Sequence, residues 1–371
     1  MSQTYVTRPS LPPLDEFVTL LEQIWSTRQL TNNGPFHQAF ESALADYLGV
    51  PYVSLFCNGM MALQVGLQTL KITGEVITSP YTFPATTHAI YWNHCTPVFC
   101  DTDQDTCNLD PEKIESLITP KTTCIMPVHI YGNPCSIDQI QRIADTYGLK
   151  VLYDAAHAFG AKHNGASLCS FGDLSMLSFH ATKVFNTIEG GALITHDEKL
   201  KRRVDYLKNF GFANETTVVA PGSNGKMNEV QSALGLLQLK YIDAEIEKRV
   251  HLIRLYREQL AGIPGIRMLD CGASNGAYCP IFVEEPVYGK SRDQLYQALK
   301  ESSIHGRRYF YPLTSQLPSY RGLPSSSPER LPNATAAAEK VICLPLYASL
   351  DPEMVGHIAN IIKSTADSRI V

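Results

Sequence analysis

Apolar positions between Tyr52 and Phe179 fall in short runs separated by helix-length segments. The runs Tyr52 to Cys57, Glu75 to Thr78, Thr96 to Cys100, Thr122 to Val128, Val151 to Tyr153 and Leu174 to Phe179 have strand length. Such alternation predicts an α/β fold with a mostly parallel central sheet and helices on both faces. Upstream, Phe17, Leu20, Leu21 and Ile24 recur at helical steps behind the acidic pair Asp15-Glu16, which predicts an amphipathic helix after a short extended arm. A second helix is predicted from Phe36 to Leu48, stopped by Gly49.

Between Met227 and Leu260 the apolar residues Val230, Leu234, Leu237 and Tyr241 are spaced by three and four, so they share one face of a long helix that links two domains. Past Gly262 the text is richer in Pro, Ser and Gly, with a strand-like stretch from Tyr278 to Val283 and helices near Ser291 to Glu301 and Asn333 to Glu339. The expected division is a large domain over residues 1–245 and a smaller α+β domain over 246–371.

Length and charge narrow the function. A chain of 371 residues exceeds a typical single core and has room for a cofactor site. The 31 Lys+Arg against 36 Asp+Glu give a net charge of -5, which supplies no basic field for nucleic acid or an anionic membrane, so neither is an expected partner. Ten cysteines lie at irregular intervals without a Cys-x-x-Cys pair or zinc-ligand spacing, so no metal and no disulfide framework is expected. The start of the chain lacks the charged residues and apolar run of a secretory signal, and nowhere do 18 apolar residues run together; the expected location is cytoplasmic.

In an open parallel sheet, catalytic groups gather at the carboxyl ends of strands. Asp154, His129 and Lys183 stand at such ends. A buried lysine has a depressed pKa and a nucleophilic amine, and a buried aspartate needs a cation opposite it. The ring nitrogen of pyridoxal phosphate is such a cation, so Asp154 and Lys183 form a sensible pair for that cofactor; a surface lysine and a helix-capping aspartate are the plainer alternative. Asn58-Gly59-Met60-Met61 lies between a strand and a helix, where backbone amides suit a phosphate, and where ordinary loop punctuation is also expected. Ser178 offers a hydroxyl near the end of its strand, and Phe83 a ring able to lie flat on a cofactor, although each also suits simple packing.

Read in order, these segments resemble the DegT/DnrJ/StrS-type sugar aminotransferase family, a branch of the fold type I, aspartate-aminotransferase-like enzymes. The resemblance is carried by Leu177-Ser178-Phe179-His180-Ala181-Thr182-Lys183 with Glu189-Gly190-Gly191-Ala192, and by Asp154-Ala155-Ala156-His157-Ala158-Phe159-Gly160. Pro127-Val128-His129-Ile130-Tyr131-Gly132 and Asn224-Gly225-Lys226-Met227-Asn228-Glu229 add to it, and it spans nearly the whole chain.

The resemblance implies pyridoxal 5'-phosphate as cofactor, alternating with pyridoxamine 5'-phosphate during turnover. Lys183 is then the Schiff-base lysine, Asp154 the partner of the pyridinium nitrogen, His157 a support for the ring edge and Phe83 the stacking aromatic. The amides of Met60 and Met61, with Gly59 and Ser178, match the phosphate cup, and Asn224 matches a residue that reaches the phosphate from a partner subunit. A homodimer with shared sites follows. In two places the chain departs from the family pattern. Asn58-Gly59-Met60 stands for the usual Ser/Thr-Gly-Thr, and Thr314 stands where many relatives have His.

The implied reaction moves an amino group from L-glutamate to a nucleotide-linked keto sugar. The segment His180-Ala181-Thr182-Lys183 resembles C-4 enzymes, which implies dTDP-4-keto-6-deoxyglucose as acceptor and dTDP-4-amino-4,6-dideoxyglucose as product, for amino-sugar or O-antigen biosynthesis. Asn228, Arg308 and Tyr309 are candidates for sugar or nucleotide contact, or plain surface polar residues. The alternatives are amino transfer at C-3 of a dTDP-3-keto-6-deoxyhexose and a non-catalytic regulator on the same fold. A nicotinamide oxidoreductase is disfavoured because Phe56-Cys57-Asn58-Gly59-Met60-Met61 is no Gly-x-Gly-x-x-Gly. A sugar 3-dehydratase is disfavoured because Lys183 is retained.

Overall fold

The computed structural model describes residues 3–270 and 275–366. The chain begins with the two-residue strand β1 (Thr4–Tyr5), followed by helices α1 (Leu14–Thr27) and α2 (Pro35–Leu48). Local chemistry explains α2. Pro35 pre-sets its first turn, Phe40, Leu44 and Leu48 share its buried face, and Gly49 ends it in the left-handed conformation at φ 64°.

Strands and helices then alternate: β2 (Tyr52–Phe56), α3 (Gly59–Thr69), β3 (Glu75–Thr78), α4 (Pro84–Trp92), β4 (Thr96–Phe99), β5 (Thr122–Met126), α5 (Ile137–Tyr147) and β6 (Lys150–Asp154). A small hairpin of β7 (Lys162–His163) and β8 (Ala166–Ser167) precedes β9 (Leu174–Ser178), β10 (Gly191–Thr195) and α6 (Glu198–Leu207). Seven strands make one sheet in the order β2-β10-β9-β6-β5-β3-β4. The strands from β9 to β4 are parallel, while β10 runs antiparallel to both of its neighbours.

The six strands expected from the sequence are present, and β10 is an addition. Gly190-Gly191 reads as a turn, yet every residue of β10 is buried, so it is a continuous apolar run without the alternation that flags a strand. Alternate side chains of the sheet feed two cores. One joins Val53, Leu55, Ile125, Val151 and Leu177 to α2 and α5; the other joins Val76, Cys124, Leu152, Met176 and Leu193 to α3 and α6. Each fully buried aliphatic side chain contributes about 1.5–3 kcal/mol, enough to fix which strand ends meet at the site.

The expected single helix from Met227 to Leu260 is two, α7 (Glu229–Gln238) and α8 (Ile242–Leu260). The amides of Lys240 and Tyr241 bond back three residues, to Leu237 and Gln238, and tighten the turn between them. No Pro or Gly marks this break, so periodicity ran across it. Ile242 packs into the first sheet core, whereas Leu252, Ile253, Tyr256 and Leu260 pack into a separate C-terminal core. The 245/246 division expected from sequence thus falls inside α8.

The C-terminal unit contains β11 (Ile266–Met268), β12 (Pro280–Val283), the one-turn helix α9 (Glu285–Tyr288), α10 (Arg292–Glu301), β13 (Ile304–His305), α11 (Pro332–Lys340), β14 (Val341–Cys343) and α12 (Pro352–Thr365). The strands β11, β12 and β14 form an antiparallel sheet, and β1 pairs with β13 in parallel, so the N-terminal arm is fastened to this unit.

The segment between β13 and α11 is bonded to the large sheet. The Asp101 carboxylate accepts from the amides of Ala334 at 2.9 Å and Asn333 at 3.2 Å, at the start of α11. Thr314 donates both its amide and its hydroxyl to Pro80 O at 3.0 Å. This segment roofs the carboxyl ends of the central strands. No helix among the described residues is long and apolar enough to cross a membrane.

Candidate active site

Asp154 is the last residue of β6, and Lys183 follows β9 by one turn closed by the bond from its amide to His180 O, 2.9 Å. Asp154 is buried. Its Oδ2 accepts from Thr86 Oγ1 at 2.7 Å and its Oδ1 from the Ala156 amide at 3.1 Å, and it enters no ion pair among the described residues. Burial pushes its pKa up, opposed by the two hydrogen bonds and by the charge of Lys183. Burial also pulls the Lys183 pKa down, against the attraction of Asp154 and Tyr309, and its Nζ donates to Tyr278 Oη at 3.3 Å. One cause, loss of solvent, thus biases the two groups toward their neutral forms.

Both line a cavity of about 530 Å³. Gly59, Met60, Phe83, His157, Ser178 and Tyr309, all expected from the sequence, line it as well. Asn58 caps α3 by accepting from the Met61 amide at 2.8 Å. This corrects one expectation: the Met61 amide is committed to its cap and Met61 does not line the cavity. The amides of Gly59 and Met60 have no partner among the described residues, and they open the helix. A Cβ on Gly59 would lie 3.0 Å from Ser178 Cβ, so glycine is what lets this helix start approach the end of β9.

Phe83, before α4, is 51% exposed and stacks on no other ring among the described residues. His157 is buried and parallel to Phe310 at 5.6 Å, interplanar angle 9°, with its Nδ1 accepting from the Tyr131 amide at 3.3 Å. Burial, reinforced by Lys183 and His129, holds its pKa well below the ordinary histidine range, so the ring is neutral.

Three expected residues lie elsewhere. Asn224 accepts from Lys226 Nζ at 2.8 Å and does not line the cavity of its own chain. Asn228 is the cap of α7, accepting from the Gln231 amide at 2.9 Å. Arg308 is paired with Asp293 at 2.8 Å and lies over Tyr296 and Tyr311. The plainer reading of Asn228 and Arg308, as residues engaged outside the site, is the one their contacts support. His129 is buried, stacked on Tyr153 at 4.7 Å, and accepts from the Cys135 amide at 3.1 Å, a core role without contact to the cavity.

Sequence reading missed Thr86, Tyr278, Arg307 and Phe310. Thr86 is the third residue of a helix that Pro84 starts, and only its contact with Asp154 gives it meaning. The other three come from the C-terminal unit, whose chain path over the sheet has no local signal.

The residues present fit pyridoxal phosphate. Asp154 is a buried carboxylate whose pKa is raised for want of a counter-charge, which a protonated ring nitrogen supplies. Two unpartnered amides at the start of an eleven-residue helix, with Ser178 opposite, form an anion cradle. Phe83 offers the unstacked ring face.

Known proteins resemble this chain over nearly its whole length. The model of the DegT/DnrJ/EryC1/StrS aminotransferase family matches residues 14–363. The chain is 50% identical to a dTDP-4-amino-4,6-dideoxy-D-glucose transaminase of Escherichia coli over 365 residues, 96% of this chain and 97% of that protein. A transaminase of the same description from Shigella dysenteriae is 47% identical, over 97% of this chain and 98% of the relative. Among solved structures, DesI in the presence of its TDP-sugar product superposes with a TM-score of 0.95 at 35% identity, covering 100% of this chain and 94% of DesI. The chain therefore belongs to the DegT/DnrJ/EryC1/StrS aminotransferase family, whose cofactor is pyridoxal phosphate.

Proposed function

We propose that this chain transfers the amino group of L-glutamate to the C-4 keto group of dTDP-4-keto-6-deoxyglucose, giving dTDP-4-amino-4,6-dideoxyglucose. The observation that carries the reading is a single cavity in which Lys183, its amine biased toward neutrality, faces an uncompensated buried Asp154. The choice of sugar and position is supported by the two relatives described as dTDP-4-amino-4,6-dideoxy-D-glucose transaminases.

Pyridoxal phosphate supplies the carbonyl that accepts nitrogen and the conjugated ring that spreads the developing negative charge. The chain positions and protonates. Lys183 Nζ is a nucleophile because burial disfavours its ammonium, and the Tyr278 hydroxyl at 3.3 Å orients it. Once free, the same amine takes the proton from the donor's α-carbon and returns a proton on the other side of the transfer, so one group serves as base and acid. Asp154, held by Thr86 and Ala156, keeps the ring nitrogen protonated. The amides of Gly59 and Met60 and the Ser178 hydroxyl would hold the phosphate, with Phe83 available to the ring face and neutral His157 to its edge.

A homodimer is part of the proposal. Asn224 has no reach into its own cavity, which suits a contribution to the neighbouring one. Trp25, Tyr91 and Trp92, 60–68% exposed on α1 and α4, suit a covered surface.

Incubation with ¹⁵N-glutamate and dTDP-4-keto-6-deoxyglucose, followed by NMR, tests the reading. Nitrogen is expected on C-4, and Lys183→Ala is expected to lose at least about a hundredfold in rate. Nitrogen on C-3, or no transfer, overturns the proposal.

A further inference from the structure

Tyr81 lies just past β3 and Tyr131 just past β5, neighbouring strands of the central sheet. Both side chains are fully buried and neither lines the cavity. Their hydroxyl oxygens are 2.7 Å apart, and both reach the main-chain oxygen of Tyr309 in the roof, Tyr131 Oη at 2.6 Å and Tyr81 Oη at 3.0 Å. Among the described residues that carbonyl has no other donor. Burial pushes both phenols well above their ordinary pKa, so each keeps its proton, and two O–H groups serve three oxygens. The two shortest separations define a chain in which Tyr81 donates to Tyr131 and Tyr131 to Tyr309. The 3.0 Å contact from Tyr81 is then a second donor in reserve.

The carbonyl held in this way joins Tyr309 to Phe310, and both rings line the cavity. The Tyr309 ring stands edge-on to Tyr278 at 5.3 Å and 84°, and the Tyr278 hydroxyl is the partner of Lys183 Nζ. The Phe310 ring lies parallel to His157 at 5.6 Å, and the Tyr131 ring is itself nearly parallel to Phe310 at 5.8 Å and 16°. The Tyr131 amide, which donates to His157 Nδ1 at 3.3 Å, belongs to a left-handed residue with φ 58°. A tyrosine seldom adopts that backbone, and it persists where surrounding contacts dictate it.

Resting on the amino-transfer reading above, we propose that Tyr81 and Tyr131 are positioning residues, a clamp of two phenols redundant by one donor that fixes Lys183 and His157 through Tyr309 and Phe310. Loss of either hydroxyl leaves the Tyr309 carbonyl a donor. Loss of both leaves a buried carbonyl without one, so the segment must shift to satisfy it. Because the contacts with Tyr278 and His157 come from adjacent residues, one shift disturbs both.

The test compares Tyr81→Phe, Tyr131→Phe and the double variant, which keep all rings, well below the melting temperature. Stopped-flow on the cofactor-loaded enzyme reads the glutamate and keto sugar half-reactions, and a pH titration reads the cofactor's visible band. Each single variant is expected to lose about twofold to fivefold, and the double roughly tenfold to a hundredfold in both half-reactions, beyond the product of the singles. The midpoint of the titration is expected to move in the double, because Tyr278 faces the amine that carries the cofactor. A double no worse than that product overturns the inference, as does one that melts earlier yet keeps the wild-type half-reactions and midpoint. Tyr278→Phe and Phe310→Leu decide the matter even if the double does not fold. Each removes one arm with the clamp intact and is expected to reproduce part of the loss, with the midpoint moving in Tyr278→Phe alone; wild-type behaviour of both leaves the clamp nothing to position and overturns it. Wild-type protein separates the two claims: if it shows no visible band that glutamate bleaches, the amino-transfer reading fails, whereas a normal band with an indifferent double variant sinks only the clamp.

Discussion

Thr86→Val isolates the ionisation of Asp154 from everything else at the site. Thr86 and Asp154 are both buried, their bond is 2.7 Å, and Thr86 Oγ1 also lies 2.9 Å from Thr82 Oγ1. Valine keeps the shape and deletes the donor. Asp154 would retain one bond, from the Ala156 amide, and buried surroundings offer no water to replace the other. A hydrogen bond to a charged group contributes about 1.5–3 kcal/mol. Its loss penalises the carboxylate and not the carboxylic acid, so the pKa of Asp154, already raised by burial, rises further. If the ionised form is what keeps the ring nitrogen protonated, the glutamate half-reaction slows by roughly tenfold to a hundredfold near neutral pH. The deficit should shrink between neutral and more alkaline pH, as the variant's carboxylate ionises again. Single-turnover rates across that range read both effects. A variant with wild-type rate and an unshifted acid limb, and a wild-type melting temperature, would refute the assignment of Asp154.

Two further predictions concern the scaffold. Burial holds His129 at about 3 against its ordinary 6.5, the depressed case, so its contribution is intact above about pH 6.5 and is lost as pH falls toward 3. At about pH 5 the unfolded chain gains a proton there that the folded chain refuses, a cost of about 2 kcal/mol; His129→Gln, which can still accept from Cys135, should flatten the acid limb of the melting curve by that amount, and an unaltered slope counts against it. Asp101→Ala leaves the amides of Asn333 and Ala334 without their acceptor and Lys113 without its partner at 2.8 Å. Each unsatisfied amide costs about 1–3 kcal/mol, read as a drop in the denaturant midpoint, and an unmoved midpoint would show that the start of α11 is held by other contacts.

Strand ends were legible in the sequence because a buried parallel sheet writes itself as apolar runs closed by polar residues. Asp154 and Lys183 were found that way, and Gly59, Ser178 and Phe83 followed from their places beside those ends. The errors have a common form. Asn58, whose cap takes the Met61 amide expected for the phosphate, and Asn228, expected at the sugar, each precede a helix, where an asparagine chooses between capping the helix and serving a ligand. Both cap. Arg307 and Arg308 are adjacent and chemically identical, so the text alone has no means to say which one Asp293 neutralises. Asp293 belongs to α10, and the pairing exists only because that helix packs beside the strand leading into the arginines. The break between α7 and α8 is silent for a related reason: backbone bonds in one turn decide it, without a Gly or Pro to mark it.

Glu229 illustrates how a family motif can carry scaffold and site in one phrase. In Asn224-Gly225-Lys226-Met227-Asn228-Glu229, the last residue is buried and accepts from the amides of Phe36 at 2.8 Å and His37 at 2.9 Å, capping α2 from across the fold. A Cβ on Gly34 would lie 2.5 Å from the Glu229 carboxyl carbon, so the loop before α2 must be glycine at that point for the carboxylate to reach the helix. Gly225, the residue after Asn224 at the motif's exposed end, accepts through its carbonyl from the Cys57 amide at 2.8 Å, next to the start of α3. The segment that presents Asn224 is therefore tied at one end to α2 and at the other to the cradle formed by Gly59 and Met60. In the proposed homodimer, Asn224 would be offered to the neighbour from a loop braced on the turn before α3 of its own chain, which would couple the geometry of one cavity to that of the other without any moving part.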